Sequence, residues 1–184
     1  MAKKIMIIRH GEKPSDDDSI RGVSKDGSHD PDDLSVRGWQ RSGALIGFFA
    51  PPHGRFSHPA LAVPDALFAE APSGHIKSQR AKHTIDSLAD GLGKHVNLKH
   101  TRGEEKALVE DVLATGGAVL IAWEHNSIVE IANRILGDDK SSPQKWHDSR
   151  FDVVWVLDFQ SPPAVWKFTQ VAQMLLPGDS PHPI

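Results

Sequence analysis

The sequence predicts one α/β domain, a three-layer sandwich in which a mostly parallel central sheet is flanked by helices. Three observations favour this fold class. Apolar segments with strand and helix periodicity alternate along the chain. Residues 118–123 are apolar without a break, as in a strand covered on both faces. The 184 residues are enough for a single buried core.

The first half of the chain contains two predicted strand–helix units. The apolar run 5–8 predicts a strand, and apolar residues at helical spacing predict a helix over 35–49. A short strand over 66–69 and a helix over 75–92 follow, and one face of that helix carries Ile85, Leu88, Ala89 and Leu92. The repeated strand–helix order predicts parallel strands.

The second half continues this alternation and then ends in a hairpin. A brief strand over 96–98, a helix over 104–114 and the strand 118–123 are followed by a helix that carries Ile128, Ile131, Ala132 and Ile135. Apolar segments at 152–159 and 164–171 flank Gln160-Ser161-Pro162-Pro163. This spacing predicts a hairpin that closes one edge of the sheet.

Two segments lack periodicity, and no linker divides the chain into two cores. Residues 14–33 are rich in Asp, Gly and Ser, and residues 51–64 are rich in Pro, so both are predicted to loop over the surface. Residues 1–176 are therefore assigned to one domain. Residues 177–184 are expected to form a loose C-terminal tail.

The composition excludes several classes of protein. The absence of cysteine excludes thiol catalysis, disulfides and cysteine-bound metal. The net charge is −3 with acids and bases interspersed, so neither nucleic acid nor a membrane is an expected partner. The 11 histidines form no His-x-x-x-His pair or HExxH motif, and no metal or other cofactor is expected. A cytoplasmic location is predicted, because the N-terminus lacks a secretion signal and no apolar stretch is long enough to span a membrane.

The sequence Arg9-His10-Gly11-Glu12 directly follows the first apolar strand. Strand alternation would point Arg9 and His10 to opposite faces, so both can contact one ligand only if the chain turns at Gly11. A cation and an imidazole at such a turn are typical of a site that binds a phosphate group and acts on it. The alternative interpretation is a strand that merely ends in two polar residues.

A second histidine occupies an equivalent position later in the chain. His125 comes shortly after the strand 118–123, as His10 follows the strand 5–8. The carboxyl ends of parallel strands meet at one edge of a sheet, where ligands bind. We therefore expect His10 and His125 to share one site, although His125 taken alone could equally be a structural histidine.

Four segments, in order, resemble the motifs of the histidine phosphatase superfamily, which has the phosphoglycerate mutase-like fold. They are Ile7-Ile8-Arg9-His10-Gly11-Glu12-Lys13-Pro14, Leu34-Ser35-x-x-Gly38-x-x-Arg41, Ser78-Gln79-Arg80-Ala81-Lys82-His83-Thr84 and Trp123-Glu124-His125-Asn126. The resemblance covers about residues 5–135. The Arg-His-Gly-Glu-Lys-Pro and Trp-Glu-His strings indicate a bacterial subgroup.

The resemblance implies a phosphatase that works through a phosphohistidine intermediate. His10 would attack phosphorus, the leaving group would depart with a proton, and water would then release phosphate. Arg9, Arg80 and His125 would bind the phosphoryl group together with His10. The two guanidinium groups would stabilise its negative charge without a metal and would disfavour protonation of His10.

The proton donor is less clearly marked in the sequence. Members of the superfamily often use a carboxylate after the third strand, which here points to Glu104 or Glu105, and Glu104 is taken as the candidate acid. Acids at this position are also favoured by the helix dipole alone. Strand alternation predicts that Glu124 points away from the site, and Glu12 is a candidate for a supporting role.

The resulting hypothesis is a metal-independent phosphomonoester hydrolase of the histidine acid phosphatase type. Its substrate would be a small phosphorylated molecule or a phosphoprotein, and the absence of a large insertion favours hydrolysis over mutase transfer. Two alternatives stay open: a phosphomutase or protein phosphohistidine phosphatase, and a catalytically weak phosphate-binding protein. Arg21, Arg55 and Lys77 could contact a substrate, but we interpret each as a solvated surface cation. The natural substrate and the oligomeric state are left open.

Overall fold

The computed structural model describes residues 1–17, 19–74 and 76–184, and its middle layer is a six-stranded sheet. In chain order the strands are β1 (Ala2–Arg9), β2 (Ala66–Ala69), β3 (Val96–Asn97), β4 (Gly117–Trp123), β5 (Val153–Gln160) and β6 (Val165–Ala172). They lie side by side in the order β3-β2-β4-β1-β5-β6. Strands β3, β2, β4 and β1 are parallel to one another, whereas β5 pairs antiparallel with both β1 and β6. The predicted mostly parallel sheet is confirmed.

Four α-helices connect the strands: α1 (Val36–Phe49), α2 (Arg80–Gly91), α3 (Glu105–Ala114) and α4 (His125–Leu136). A short 3₁₀ turn at Pro52–Gly54 follows α1. Ser35 caps the start of α1 by accepting a hydrogen bond from the amide of Gly38. Gly137 ends α4 in the left-handed conformation, with φ of 81°. Within the described ranges, no helix is both long and apolar enough to cross a membrane.

The helices form two outer layers because alternate residues of each central strand face opposite sides. On β4, Val119 and Ile121 pack into a core with α3 and α4, whereas Leu120 packs into a second core with α1 and α2. All three side chains are fully buried. The unbroken apolar run therefore belongs to a strand covered on both faces, as predicted, and the three-layer sandwich is confirmed.

The second helix is shorter than its periodicity predicts. It begins at Arg80 instead of residue 75, and the predicted first residue, His75, lies outside the described residues. Ser73 and Ile76 exchange backbone hydrogen bonds of 2.7 and 3.2 Å a few residues before the helix. Arg80 is therefore the first residue of α2.

The C-terminal hairpin is confirmed. β5 and β6 pair over eight positions, ending with Gln160 opposite Val165. The pair closes the β1 edge of the parallel strands, as the spacing of the two apolar segments predicts.

The last residues do not form a loose tail, so that expectation is wrong. The Asp179 carboxylate pairs at 2.8 Å with the buried guanidinium of Arg41, and both side chains are only 2% exposed. Farther on, the amide of Ile184 donates to Gln170 of β6. A buried arginine requires negatively charged partners. Asp179, in the C-terminal segment 177–184, is one such partner of Arg41.

Candidate active site

The residues singled out at the strand ends lie around one small polar cavity of about 210 Å³. The cavity is at the carboxyl edge of the parallel strands, beside the start of α2. Arg9, His10, Arg80 and His125 all line it, so the structure brings together the four residues predicted to share a site. Other charged residues that line it are Lys13, Glu70, Arg102, Glu124 and Asp148.

Sheet register explains why residues distant in sequence meet here. Arg9 of β1 lies opposite Trp123 of β4, and the amide of His10 donates to the carbonyl of Trp123 at 3.2 Å. On the other side of β4, the amide of Glu70 donates to the carbonyl of Ala122 at 3.1 Å. Three adjacent strands therefore end level with one another, and the residues that follow each strand surround the same space.

His10 is buried and held in one tautomer. Its Nδ1 lies 2.8 Å from the carbonyl oxygen of Gly11, and because a carbonyl only accepts, Nδ1 carries the proton. Burial, together with the charges of Arg9 and Arg80, lowers the pKa of His10 from 6.5 to about 3. The ring is therefore neutral near pH 7, and Nε2 keeps the lone pair that a nucleophile requires.

Gly11 is required because its surroundings leave no room for a side chain, and not because it adopts an unusual dihedral angle. Its φ is not in the left-handed region, but an added Cβ would lie only 3.0 Å from the carbonyl oxygen of Gly38. The Gly11 amide donates to Thr84 Oγ1 at 2.7 Å, and that hydroxyl donates to the carbonyl of Arg80 at 2.6 Å. These contacts fix the loop that carries His10 against both α1 and α2.

Arg9 is held from behind by the segment before β5. It donates from Nη1 to the carbonyl oxygens of Asp148 and Arg150, and its guanidinium lies 3.8 Å above the ring of Phe151. Burial lowers the pKa of Arg9 to about 10, and the nearby carboxylate of Glu124 opposes this shift. The side chain is 1% exposed and still positively charged at neutral pH.

Arg80 joins α2 to the long loop 14–33. Its Nε donates to the carbonyl of Asp33 at 3.1 Å, and its Nη2 donates to the carbonyl of Pro31 at 2.7 Å. Burial lowers the pKa of Arg80, while the negative charge of Asp32 raises it. The loop thus orients the guanidinium that faces the cavity.

His125 lies between two carboxylates. Its Nε2 is 3.0 Å from Oδ1 of Asp148, and its Nδ1 is 2.7 Å from Oε1 of Glu124. The second contact is close but poorly aligned, so among the described residues Nδ1 has no hydrogen-bond partner. Burial lowers the pKa of His125, and the charge of Arg9 acts in the same direction.

Unpaired polar atoms are concentrated at this cavity. Within the part of the chain that the structure describes, four buried side-chain nitrogen or oxygen atoms lack a hydrogen-bond partner. Three of them belong to cavity residues: Arg9 Nε, Glu70 Oε1 and His125 Nδ1. Because buried polar atoms are normally paired, their accumulation here indicates a ligand site.

Two acidic residues, Glu104 and Glu124, do not lie where the sequence places them. Glu104, the candidate proton donor, is exposed, does not line the cavity, and accepts a hydrogen bond from the amide of Thr101. Glu124 does line the cavity, because β4 ends at Trp123 and Glu124 becomes the cap of α4, where strand alternation no longer applies. Glu12 pairs with Arg41, outside the cavity.

Glu70, Arg102 and Asp148 are site residues that the sequence analysis missed. Glu70 follows β2 as His10 follows β1, so the same strand-end argument could have found it. Arg102 lies in the loop between β3 and α3, and Asp148 lies in a segment without periodicity. Neither carries a local sequence signal.

A larger groove of about 800 Å³ lies between α3 and α4, lined by apolar residues such as Val109 and Leu113 and by charged residues such as Lys106 and Glu130. None of the predicted site residues line it. The smaller cavity is the candidate site because the titratable groups converge there. Within the described ranges, no group of three or more His, Asp or Glu residues is arranged to hold a metal ion.

The fold is that of a group of solved phosphatase structures. The protein histidine phosphatase SixA complexed with tungstate is 11% identical over 92% of this chain and 97% of its own, with a TM-score of 0.56. A mycobacterial glucosyl-3-phosphoglycerate phosphatase with inorganic phosphate is 14% identical over 91% and 95%, with a TM-score of 0.52. Bacillus stearothermophilus YhfR is 12% identical over 96% and 98%, with a TM-score of 0.53. No family model and no curated protein matches the sequence.

Proposed function

We propose that this protein is a phosphomonoester hydrolase of the histidine phosphatase type, with His10 as the nucleophile. One observation carries the proposal: a buried neutral imidazole faces the same small cavity as Arg9, Arg80 and His125. The imidazole supplies a nucleophile, and the guanidinium groups supply positive charge for a phosphoryl group. The likeness in fold to phosphatases supports this combination.

The reaction has two steps. In the first, Nε2 of His10 forms a bond to phosphorus while the ester P–O bond breaks, and the departing oxygen takes a proton. In the second, water forms a bond to phosphorus, the N–P bond breaks, and inorganic phosphate leaves. The carbonyl of Gly11 holds Nδ1–H throughout, so the ring presents the same nitrogen in each cycle.

Arg9, Arg80 and His125 are assigned to binding the phosphoryl oxygens. Both guanidinium groups are anchored by backbone carbonyls, so they need little reorganisation when charge develops in the transition state. We propose that these fixed positive charges take the role that a metal ion has in other phosphatases.

The dimensions of the cavity support a phosphate monoester whose leaving group lies at the surface. About 210 Å³ accommodates a phosphoryl group and little else. A neighbouring cavity of about 320 Å³ shares Lys13 and Arg80 with it and is otherwise lined by Pro14, Ser15, Asp16 and Pro31. A small ester or a phosphorylated protein side chain would fit this arrangement, so a protein phosphohistidine phosphatase is the second candidate.

The test is turnover of a panel of phosphate monoesters, together with a phosphohistidine-bearing protein and phosphoglycerate. The wild-type protein should hydrolyse aryl phosphates, retain activity with excess chelator and form an acid-labile phosphoenzyme. H10A should lose both turnover and phosphoenzyme. H182A, which alters an exposed histidine near the C-terminus, is the matched control and should behave as wild type.

Each alternative has its own outcome in this experiment. Binding of phosphate without turnover of any ester between pH 5 and 8 would indicate a phosphate-binding protein. Loss of activity with chelator would indicate a metal enzyme. Transfer between positions of phosphoglycerate would indicate a mutase.

A further inference from the structure

We propose that Glu70 is the catalytic acid that protonates the leaving group in the first step, and that its carboxylate accepts a proton from water in the second. This inference rests on the proposed phosphatase function. It places the acid at the end of β2 instead of after β3, where the sequence analysis expects it.

The position of Glu70 is the first argument. Its side chain is 6% exposed and lines the same cavity as His10. Oε2 accepts a hydrogen bond from the amide of Glu124 at 3.1 Å. Oε1 is buried without a hydrogen-bond partner among the described residues, although Nη2 of Arg102 lies 3.1 Å away. One oxygen therefore holds the carboxyl group in place, and the other is available to carry a proton.

The surroundings of Glu70 favour the protonated form. Burial raises the pKa of Glu70, the positive charge of Arg102 opposes this shift, and the negative charge of Glu124 adds to it. A buried carboxylate in a cavity that binds anions would also repel the substrate, whereas a neutral carboxyl group would not. A carboxyl group whose pKa is raised in this way is better suited to donate a proton than an exposed one.

The other two acidic residues of the cavity are less suited to donation. Glu124 accepts hydrogen bonds at both oxygens, from the amide and the side-chain amide of Asn126, and it lies at the positive end of α4. Asp148 is exposed, and its contact with His125 lowers the pKa of its carboxyl group. The hydrogen bonds at both oxygens of Glu124 and the lowered pKa of Asp148 therefore leave Glu70 as the better candidate for the acid.

The proton balance follows from these assignments. In the first step, the Glu70 O–H bond breaks and the leaving oxygen gains that proton, so an alcohol departs and Glu70 becomes a carboxylate. The adjacent guanidinium of Arg102 stabilises this charged state. In the second step, the attacking water gives one proton to Glu70 and its oxygen to phosphorus. The enzyme returns to its starting protonation state.

The experiment compares substrates whose leaving groups differ in their need for a proton. The 4-nitrophenolate group departs without help, whereas an alkoxide needs an acid. E70Q should lower kcat/KM for ethyl phosphate by about 10²- to 10³-fold but change kcat/KM for 4-nitrophenyl phosphate by much less. E110Q, at an exposed position of α3, is the matched control and should leave both values unchanged.

Three results would overturn the inference. E70Q could lower kcat/KM equally for both substrates, which would indicate a structural role. The selective loss could appear in E104Q instead. Wild-type kcat/KM could also fall steeply as the pKa of the leaving group rises, which would show that no acid assists departure; this measurement needs no variant and holds even if E70Q does not fold.

The proposed function fails in a distinguishable way. If H10A retains turnover, or wild type hydrolyses no ester, the nucleophile assignment is wrong and the inference about Glu70 falls with it. If H10A is inactive but E70Q loses activity on both substrates alike, only the inference about Glu70 is wrong.

Discussion

The carboxylate of Asp148 lies 3.0 Å from Nε2 of His125, on the wall of the cavity that we propose binds a phosphoryl group. The backbone carbonyl of the same residue accepts a hydrogen bond from Arg9. Asp148 therefore contacts two of the residues proposed to bind phosphate. Its backbone carbonyl contacts Arg9, and its negatively charged side chain contacts His125. A substrate dianion must approach His125 against that negative charge.

Removing this charge should strengthen phosphate binding. We expect D148N to lower both KM for an aryl phosphate and the inhibition constant of inorganic phosphate by about 2- to 5-fold, a modest effect because the side chain is 86% exposed. Steady-state kinetics with phosphate as inhibitor measure both quantities. D139N, which removes an exposed carboxylate after α4, is the control. A weaker affinity for phosphate in D148N would show that Asp148 positions His125 instead of competing with the substrate.

The sequence predicts the ends of the strands better than it predicts the acidic residues near them. His10 and His125 each follow a strongly apolar strand, and parallel topology alone brings such positions together. Glu70 occupies the same kind of position, but β2 is only four residues long and gives a weak signal. Glu124 is misplaced by the strand pattern because it lies one residue past the end of β4 and caps α4.

Contacts with the C-terminal residues are not predictable from local patterns. Asp179 lies in a segment without periodicity, and its partner Arg41 is 138 positions earlier in the chain. The pairing depends on the tertiary fold, which brings the C-terminal segment across α1. The sequence shows each residue but not the burial that makes the pair necessary.

The free energy of unfolding should depend on pH through His10. The folded-state pKa is lowered to about 3 from 6.5, so the unfolded chain binds a proton that the folded protein excludes. The stabilisation is therefore complete above pH 6.5 and is lost as the pH falls from 6.5 towards 3, by about 1.4 kcal/mol per pH unit for one proton. Chemical denaturation of wild type and H10N at several pH values checks this.

The expected result is a shallower decline for H10N between pH 6 and 4. H182N replaces an exposed histidine and should keep the wild-type slope. Equal slopes for wild type and H10N would mean that His10 binds its proton over the same pH range in the folded and unfolded protein, which would contradict the lowered pKa of His10.

The geometry of the Arg80 guanidinium, beyond its charge, should matter for catalysis. We expect R80K to lower kcat/KM by about 10²-fold or more, because a lysine cannot donate to two phosphoryl oxygens in a fixed plane. It also cannot reproduce the paired contacts with the carbonyls of Asp33 and Pro31. K82M alters a cation two residues along α2 that pairs with Asp86, and it serves as the control.

The separation of kcat from KM distinguishes the possible roles of Arg80. A fall in kcat and kcat/KM by the same factor would place its contribution in the transition state. A rise in KM alone would indicate ground-state binding. Activity of R80K equal to that of wild type would contradict the assignment of Arg80 to the phosphoryl group.

The ion pair between Asp179 and Arg41 should contribute strongly to stability. Both side chains are 2% exposed, and Arg41 also pairs with Glu12, two residues after His10. Removing one partner of a buried ion pair costs about 3–5 kcal/mol when the other charge is left uncompensated. Here Glu12 still pairs with Arg41, so a value at the lower end is expected. We expect D179N to lower the free energy of unfolding by about 3 kcal/mol in urea denaturation, whereas D139N changes it little.

Because Glu12 would remain to balance Arg41, kcat/KM measured well below the unfolding transition should change much less than the free energy of unfolding. Unchanged stability in D179N would show that the C-terminal residues are not held by this pair in solution.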